Sequence, residues 1–224
     1  ADRDKLAIAE TPGDGPIQQA LADAAREHGV WVVGGTLPLR VAGDTDHVMN
    51  ANCVWSPQGE LAARYDKIHL FRYDNGSERY DEGRVLLPGR EPKALDAGAV
   101  RLGLSICYDL RFPELYRALS AMPGERPCDL MSVPSAFTYT TGKAHWELLL
   151  RARAVENQCY VIAPAQGGLH ENGRRTWGHS LVVDPWGEVL AVRDEGEGVV
   201  MATLDFERLA EVRRSLPALT HRVL

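Results

Sequence analysis

The sequence predicts a mixed α/β sandwich, and three observations carry that expectation. Short apolar runs with strand character alternate along the chain with runs at helical spacing. Two hairpin sequences resemble each other, Val54-x-Ser56-Pro57-x-Gly59-Glu60-Leu61-x-Ala63 and Val182-x-Asp184-Pro185-x-Gly187-Glu188-Val189-x-Ala191. Either both use a common turn, or they mark an internal pseudo-twofold with two related sheets packed together. No proline- or serine-rich linker divides the chain, so residues 1–224 are expected to form a single domain.

The elements follow in order. Residues 1–15 are polar and end in a Pro12-Gly13-Asp14-Gly15 turn. Pro16 starts a helix with Ile17, Ala20, Leu21 and Ala24 at helical spacing, stopped by Gly29. Val30 to Gly35 predicts a buried strand. Met49 to Trp55 and Glu60 to Tyr65 pair around Ser56-Pro57-Gln58-Gly59, a type I turn sequence. A further strand carries Lys67, and a polar loop runs from Tyr73 to Pro92. Residues 101–106 alternate as a strand, and Pro113 opens a helix through Leu115, Tyr116, Ala118 and Leu119. Asp129 to Pro134 is another buried strand, Ser135 to Lys143 a loop, Ala144 to Asn157 a helix and Cys159 to Ala163 a strand. A glycine-rich polar loop over Gly167 to Arg175 precedes the second hairpin, Ser180 to Val192. Val199 to Leu204 is a strand, and Asp205 caps a last helix with Phe206, Leu209 and Ala210.

Composition narrows the function classes. Apolar content of 45%, charged content of 25% and a net charge of −6 fit an ordinary globular protein, with no dense basic cluster for nucleic acid. No apolar run approaches a membrane span, and the chain opens without a signal-peptide pattern. The four cysteines lack C-x-x-C spacing, and a chain this long does not need disulfide staples, so a reduced, cytoplasmic setting is expected. The seven histidines are dispersed and predict no metal site; no cofactor is expected.

The chain is organised around residues 101–115, where Cys107 stands at the carboxyl end of a strand, just ahead of a helix. Open α/β sheets keep their chemistry at that end. Nearby backbone N–H groups there favour a thiolate and bind an oxyanion. The competing reading is a cysteine that merely packs. Lys67, in Ala63-Arg64-Tyr65-Asp66-Lys67-Ile68-His69-Leu70, is either a surface charge or an inward cation that requires a negative partner.

Taken together these tracts closely resemble the nitrilase superfamily of carbon–nitrogen hydrolases. The resemblance covers nearly the whole chain. It rests on Gly34-Gly35, Tyr65-x-Lys67-Ile68-His69-Leu70-Phe71 and Gly103-Leu104-x-Ile106-Cys107-Tyr108-Asp109-x-Arg111-Phe112-Pro113-Glu114-Leu115. It continues through Pro134-Ser135-Ala136-Phe137, Thr141-Gly142-x-Ala144-His145-Trp146-Glu147, Arg151-x-Arg153-Ala154-Val155-Glu156-Asn157 and Gly178-His179-Ser180.

The resemblance implies a four-layer αββα sandwich of two mixed sheets and a Glu-Lys-Cys catalytic set. Cys107 matches the nucleophile that attacks an amide carbonyl to give a thioester. Lys67 matches the lysine that, with the Tyr108 backbone N–H, stabilises the tetrahedral oxyanion. The family's general-base glutamate belongs to a Pro-Glu motif on an early strand, and no Pro-Glu occurs before residue 91. The expectation is therefore a domain lacking its first strands and helix, with Glu10 a solvated loop carboxylate. A second recurrent glutamate matches Glu82, in Tyr80-Asp81-Glu82-Gly83, which orients Lys67 or a water; an exposed loop acid is the plain alternative.

The Cys107–Pro113 form resembles the branch containing ω-amidases and deaminated-glutathione amidases, which implies hydrolysis of a small carboxylated amide. Arg111 either pairs bidentately with a substrate carboxylate or bridges to Asp109 or Glu114. Tyr108 and Phe137 are pocket walls or core. An N-carbamoyl amide or nitrile, or a non-catalytic subunit, are the alternatives. A Cys107/His145 dyad is weaker, because Trp146, Leu149 and Leu150 give that helix a packing face. His69 and His179 follow strand patterns as structural residues, and Cys53, Cys128 and Cys159 are expected to be inert. A homodimer acting on a small-molecule amide, without nucleic acid or membrane, completes the expectation.

Overall fold

The computed structural model describes residues 4–76, 78–122 and 124–223. The chain divides between Ala97 and Gly98 into two compact units, each described by itself.

The first unit contains helices α1 (Asp4–Ala7) and α2 (Pro16–His28) and strands β1 (Val32–Val33), β2 (Leu37–Val41), β3 (Asp44–Trp55) and β4 (Leu61–Asp66). Three short strands follow, β5 (Arg72–Asp74), β6 (Arg79–Asp81) and β7 (Lys93–Ala97). The long β3 pairs antiparallel with β1 and β2, and also with β4. Isolated parallel bridges, Glu10 to Leu39 and Val48 to Leu86, tie the flanking loops to the sheet. Ala22 and Ala25 of α2 cover one sheet face, packing with Leu37, Leu39, Ala51, Cys53 and Trp55. Alternate residues of β3 supply that face, as the two-residue period requires.

Several sequence expectations change here. The segment 30–35 is an edge pairing of only two residues rather than a buried strand, with Val30 46% and Val33 36% exposed. Apolar alternation does not distinguish an edge from a sheet centre. Lys67 lies just beyond β4 rather than on a further strand; its N–H extends the ladder by one bond to the Asn50 carbonyl, at 2.9 Å. The polar stretch after Phe71 folds into the β5–β6 hairpin and a single 3₁₀ turn, Glu82–Arg84. Glu10 is buried, not solvated. Its carboxylate accepts from the N–H groups of Ile17 and Gln18 at 2.5 and 3.1 Å, supplying the first turn of α2 with an acceptor.

The second unit contains β8 (Val100–Leu104), α3 (Pro113–Leu119), β9 (Leu130–Ser132), α4 (Tyr139–Asn157) and β10 (Tyr160–Ala163). It continues with β11 (Gly167–Leu169), β12 (Arg175–Trp177), β13 (Ser180–Val183), β14 (Val189–Arg193) and α5 (Phe206–Ser215). Within this unit the strand order is β14-β13-β10-β9-β8. The β8–β9 and β9–β10 pairs are parallel, while β10–β13 and β13–β14 are antiparallel, so the sheet is mixed. Parallel neighbours need a crossover, and α3 and α4 provide the two. The chain therefore leaves β8 and β9 at the same end of the sheet.

The helix expected from Ala144 begins five residues earlier, because Thr138 caps it by accepting from the Thr141 N–H. Gly142 is inside the helix for a packing reason. A Cβ there would stand 2.3 Å from the Trp177 side chain, so the residue that looks like a breaker lets helix and β12 meet. Val199 to Leu204 forms no strand, and Val199 and Met201 are 82% and 83% exposed: the run has strand character but no sheet edge receives it. The two similar hairpins match in detail. Each has a register shift at the same place, between Val54 and Trp55 and between Val182 and Val183. Each closes with a glycine N–H donating three residues back, Gly59 to Ser56 and Gly187 to Asp184.

Candidate active site

The candidate residues divide between the two units. In the first, Lys67 is buried with its side chain 1% exposed, and its ammonium donates to Glu82 Oε2 at 2.5 Å. The same oxygen accepts the Phe71 N–H at 2.7 Å, while the Glu82 N–H donates to the Phe71 carbonyl at 2.9 Å. This reciprocal pair locks the 3₁₀ turn to the strand exit. Gly89 completes the support: its N–H donates to the Lys67 carbonyl at 2.8 Å, and a Cβ there would stand 2.1 Å from the Asp66 carbonyl. Of the two readings of Lys67, the inward cation is the one observed, and Glu82 is its partner rather than an exposed loop acid.

In the second unit the chain passes from β8 through Ser105 and Ile106 into a 3₁₀ turn, Cys107–Arg111. Cys107 has φ +50°, a left-handed conformation that a side chain adopts at a cost of about 1–3 kcal/mol. Surrounding bonds impose it. Asp109, fully buried, accepts the Ile106 N–H at 2.9 Å through Oδ2 and returns its own N–H to the Ile106 carbonyl at 3.0 Å. The Cys107 N–H donates to the Pro134 carbonyl beyond β9. Arg153 of α4, also buried, donates from Nε and Nη2 to the Leu110 carbonyl at 3.1 and 2.8 Å. Asn157 in turn donates to the Arg153 carbonyl and accepts from Ser120 Oγ.

These positioning groups were missed as such from sequence. Asp109 two residues after the cysteine was a visible signal, since Asp bonding to a nearby backbone N–H is a common turn device. The tract Arg153…Asn157 carried no local signal, because its target lies more than 40 residues away.

The thiols separate clearly. Cys53, Cys128 and Cys159 are fully buried, and burial pushes the first two up to about 11 and about 12 and the third higher still. Cys107 alone among the four is partly exposed. Around it, Tyr108 packs edge-on against Phe112, and Phe137, 5% exposed, packs on Trp146. The Arg111 guanidinium lies 5.3 Å from the Phe137 ring centre and 6.0 Å from that of Tyr108. Burial lowers the Arg111 pKa, while the neighbouring Tyr108 and Cys107 raise it. Among the described residues Arg111 forms no ion pair with Asp109 or Glu114, so the bridging alternative is not what the fold adopts. Its hydrogen-bond partner is instead His145 Nδ1, at 3.3 Å. His145 is exposed on α4 and bonds to Arg111 rather than to the thiol. His179 sits not on a strand but in a left-handed residue ahead of β13, stacked on Trp177 at 3.9 Å. Its Nδ1 lies 2.9 Å from the Trp177 carbonyl, and its own carbonyl accepts Trp146 Nε1–H at 2.7 Å.

Among the described residues no group of three or more His, Cys, Asp or Glu stands where a metal could be held, and no helix is long and apolar enough to cross a membrane. Chemically, the second unit presents a partly exposed cysteine in a constrained turn, with a guanidinium and two aromatic rings close by. The first presents a buried ammonium held by a carboxylate.

The family model described as carbon-nitrogen hydrolase matches residues 2–214. The chain is 42% identical over 215 residues to a deaminated glutathione amidase of Yersinia enterocolitica, covering 95% of this chain and 74% of that protein. It is 41% identical over 204 residues to the human omega-amidase NIT2, covering 91% and 71%. The crystal structure of the C. elegans NitFhit protein superposes with a TM-score of 0.90 at 39% identity. That match covers 100% of this chain, which spans 53% of the NitFhit chain.

Proposed function

We propose that this chain, which belongs to the carbon–nitrogen hydrolase family, is an amidase acting on small carboxylated amides through a Cys107 thioester. The observation that carries the proposal is the Cys107 turn: a partly exposed thiol, held in left-handed backbone geometry at the end of β8, with the Arg111 guanidinium beside it. Strain of that kind persists only where surrounding bonds enforce it, and it concentrates at working sites. Names of relatives, a deaminated glutathione amidase and an omega-amidase, support the same chemistry.

In this mechanism Cys107 Sγ forms a bond to the amide carbonyl carbon, and the electron pair of the carbonyl moves to oxygen. The C–N bond then breaks, the proton from the thiol ends on the departing nitrogen, and ammonia leaves a thioester. Water adds to that thioester, releasing a carboxylic acid and restoring the thiol. Lys67 supplies positive charge for the developing oxyanion, and Glu82 keeps its ammonium in one orientation. Arg111 recognises the remote carboxylate with its planar donors, and Phe137 and Tyr108 wall the acyl chain. A homodimer in the cytoplasm is the setting in which we place this activity.

Ammonia release from α-ketoglutaramate and cysteinylglycine release from deaminated glutathione, each measured beside the Cys107→Ala variant, test this function. Turnover of either amide that disappears in the variant supports it. Equal rates in the two proteins, or none in both while the fold is intact, would overturn it in favour of a non-catalytic subunit.

A further inference from the structure

Arg111 is itself held by a histidine, His145 of α4. A guanidinium carries donors only, so His145 Nδ1, 3.3 Å from Arg111 Nη1, must present its lone pair. In the tautomer that makes this bond the ring proton is on Nε2 and the imidazole carries no charge. The faces of Phe137 and Tyr108 attract the guanidinium, its carbon 5.3 and 6.0 Å from their ring centres, but that attraction is not directional enough to fix its rotation. The bond to His145 is what stops that rotation. Among the described residues it is the one hydrogen bond Arg111 makes, so the remaining N–H groups of the fork are left for a ligand.

We propose that His145 is a positioning residue: its neutral imidazole aims Arg111 at the substrate carboxylate, and protonation of the ring releases it. This rests on the amidase function and on Arg111 as its carboxylate-binding group. Protonated His145 cannot accept, and it places a second cation against the first. Among the described residues no carboxylate is paired with His145 to offset that repulsion. The elements packed on α4 bring up Cys107, Tyr108 and Asp109 from the turn, Glu114, Tyr116 and Arg117 from α3, Tyr160 from β10 and Arg175 from β12; β13 brings no titratable group. On α4 itself stand Tyr139, Lys143, Glu147 and Glu156, the last two paired with Arg151 and Arg153. None of these is paired with His145. The thiol chemistry does not pass through the histidine, so substrate capture, not the bond-breaking steps, is what its charge controls.

The test is steady-state kinetics on a carboxylated ω-amide and on a neutral amide of equal length, across the acid-to-neutral range where imidazoles titrate. In the wild-type protein KM for the carboxylated amide rises about tenfold toward acid pH while kcat holds within about twofold, the size of loss expected for a misaligned charge-assisted pair. His145→Leu shows the raised KM at every pH. His145→Gln, which keeps an acceptor but cannot charge, restores the neutral-pH KM and flattens the profile. The inhibition constant of the dicarboxylate product should move in parallel. A wild-type KM in His145→Leu, an equal loss on the neutral amide, or a pH profile that persists in His145→Gln would overturn the proposal. Failure of the wild type to hydrolyse either amide at any pH would instead remove the amidase function beneath it.

Discussion

The Lys67 ammonium and the Glu82 carboxylate form an ion pair at 2.5 Å in which the lysine side chain is 1% exposed and the glutamate 15%. Water is nearly excluded from the cation, so its stability depends on that one carboxylate far more than a surface pair would. The pair is thus a structural unit as well as a proposed chemical one. Substitution of both residues separates the two roles.

Glu82→Leu is expected to destabilise the protein by about 3–5 kcal/mol, because it leaves the Lys67 charge buried without a partner. The double variant Lys67→Met/Glu82→Leu should recover most of that loss while amide hydrolysis stays at least about a hundredfold down. Urea unfolding beside an ammonia-release assay decides it. A double variant no more stable than the single one would show that the pair is not an isolated energetic unit.

Cys107→Gly should be at least as stable as the wild type, by up to about 1 kcal/mol, while the proposed function expects it to lose amide hydrolysis. Glycine adopts φ +50° without steric cost, which outweighs its greater freedom in the unfolded chain. Cys107→Val should lose about 1–2 kcal/mol, since a branched side chain suits that conformation least. Chemical denaturation of the three proteins gives the order directly.

Alkylation should be selective. Brief treatment of the native protein with iodoacetamide near neutral pH is expected to label Cys107 alone. The other three thiols are sealed in the core, with Cys53 and Cys128 held protonated up to about 11 and about 12. Peptide mass spectrometry should find one modified cysteine in the folded protein and four after denaturation. Early labelling of Cys53 would contradict the burial seen beneath α2.

Glu10 gives a pH prediction. Burial resists its ionisation, but the Ile17 N–H, the Gln18 amide and the Gln18 N–H outweigh that and hold its pKa below the usual value. A carboxylate with a lowered folded pKa contributes stability above its unfolded pKa of about 4.3 and loses it as pH falls through the folded value. Stability should therefore decline below about pH 4, and Glu10→Gln should weaken that decline. At neutral pH Glu10→Gln should cost about 1.5–3 kcal/mol, the worth of hydrogen bonds to a charged acceptor. Urea midpoints for both proteins at neutral and acid pH provide the check.

Local patterns in the chain were enough to name its candidate site residues. The thiol at a strand end, the lysine after Tyr65-Asp66, the acidic loop residue and the paired hairpins each rest on neighbours in sequence, so alternation, turn residues and motif order expose them. Other features required the fold. Whether Lys67 faced inward, whether Glu82 was its partner and whether Arg111 bridged to Asp109 depend on which segments meet, and spacing along a chain does not encode that. The reach of Arg153 to Leu110 and of His145 to Arg111 spans 43 and 34 residues. Val30 to Gly35 and Val199 to Leu204 carried strand patterns, yet one became an edge of two residues and the other found no partner. Residue pattern alone set the candidate nucleophile and the succession of strands and helices, because those follow from short-range sterics and hydrophobic period. Burial, partner and orientation were decided by tertiary packing, because a charge or a strand edge acquires its energy only from what is brought against it.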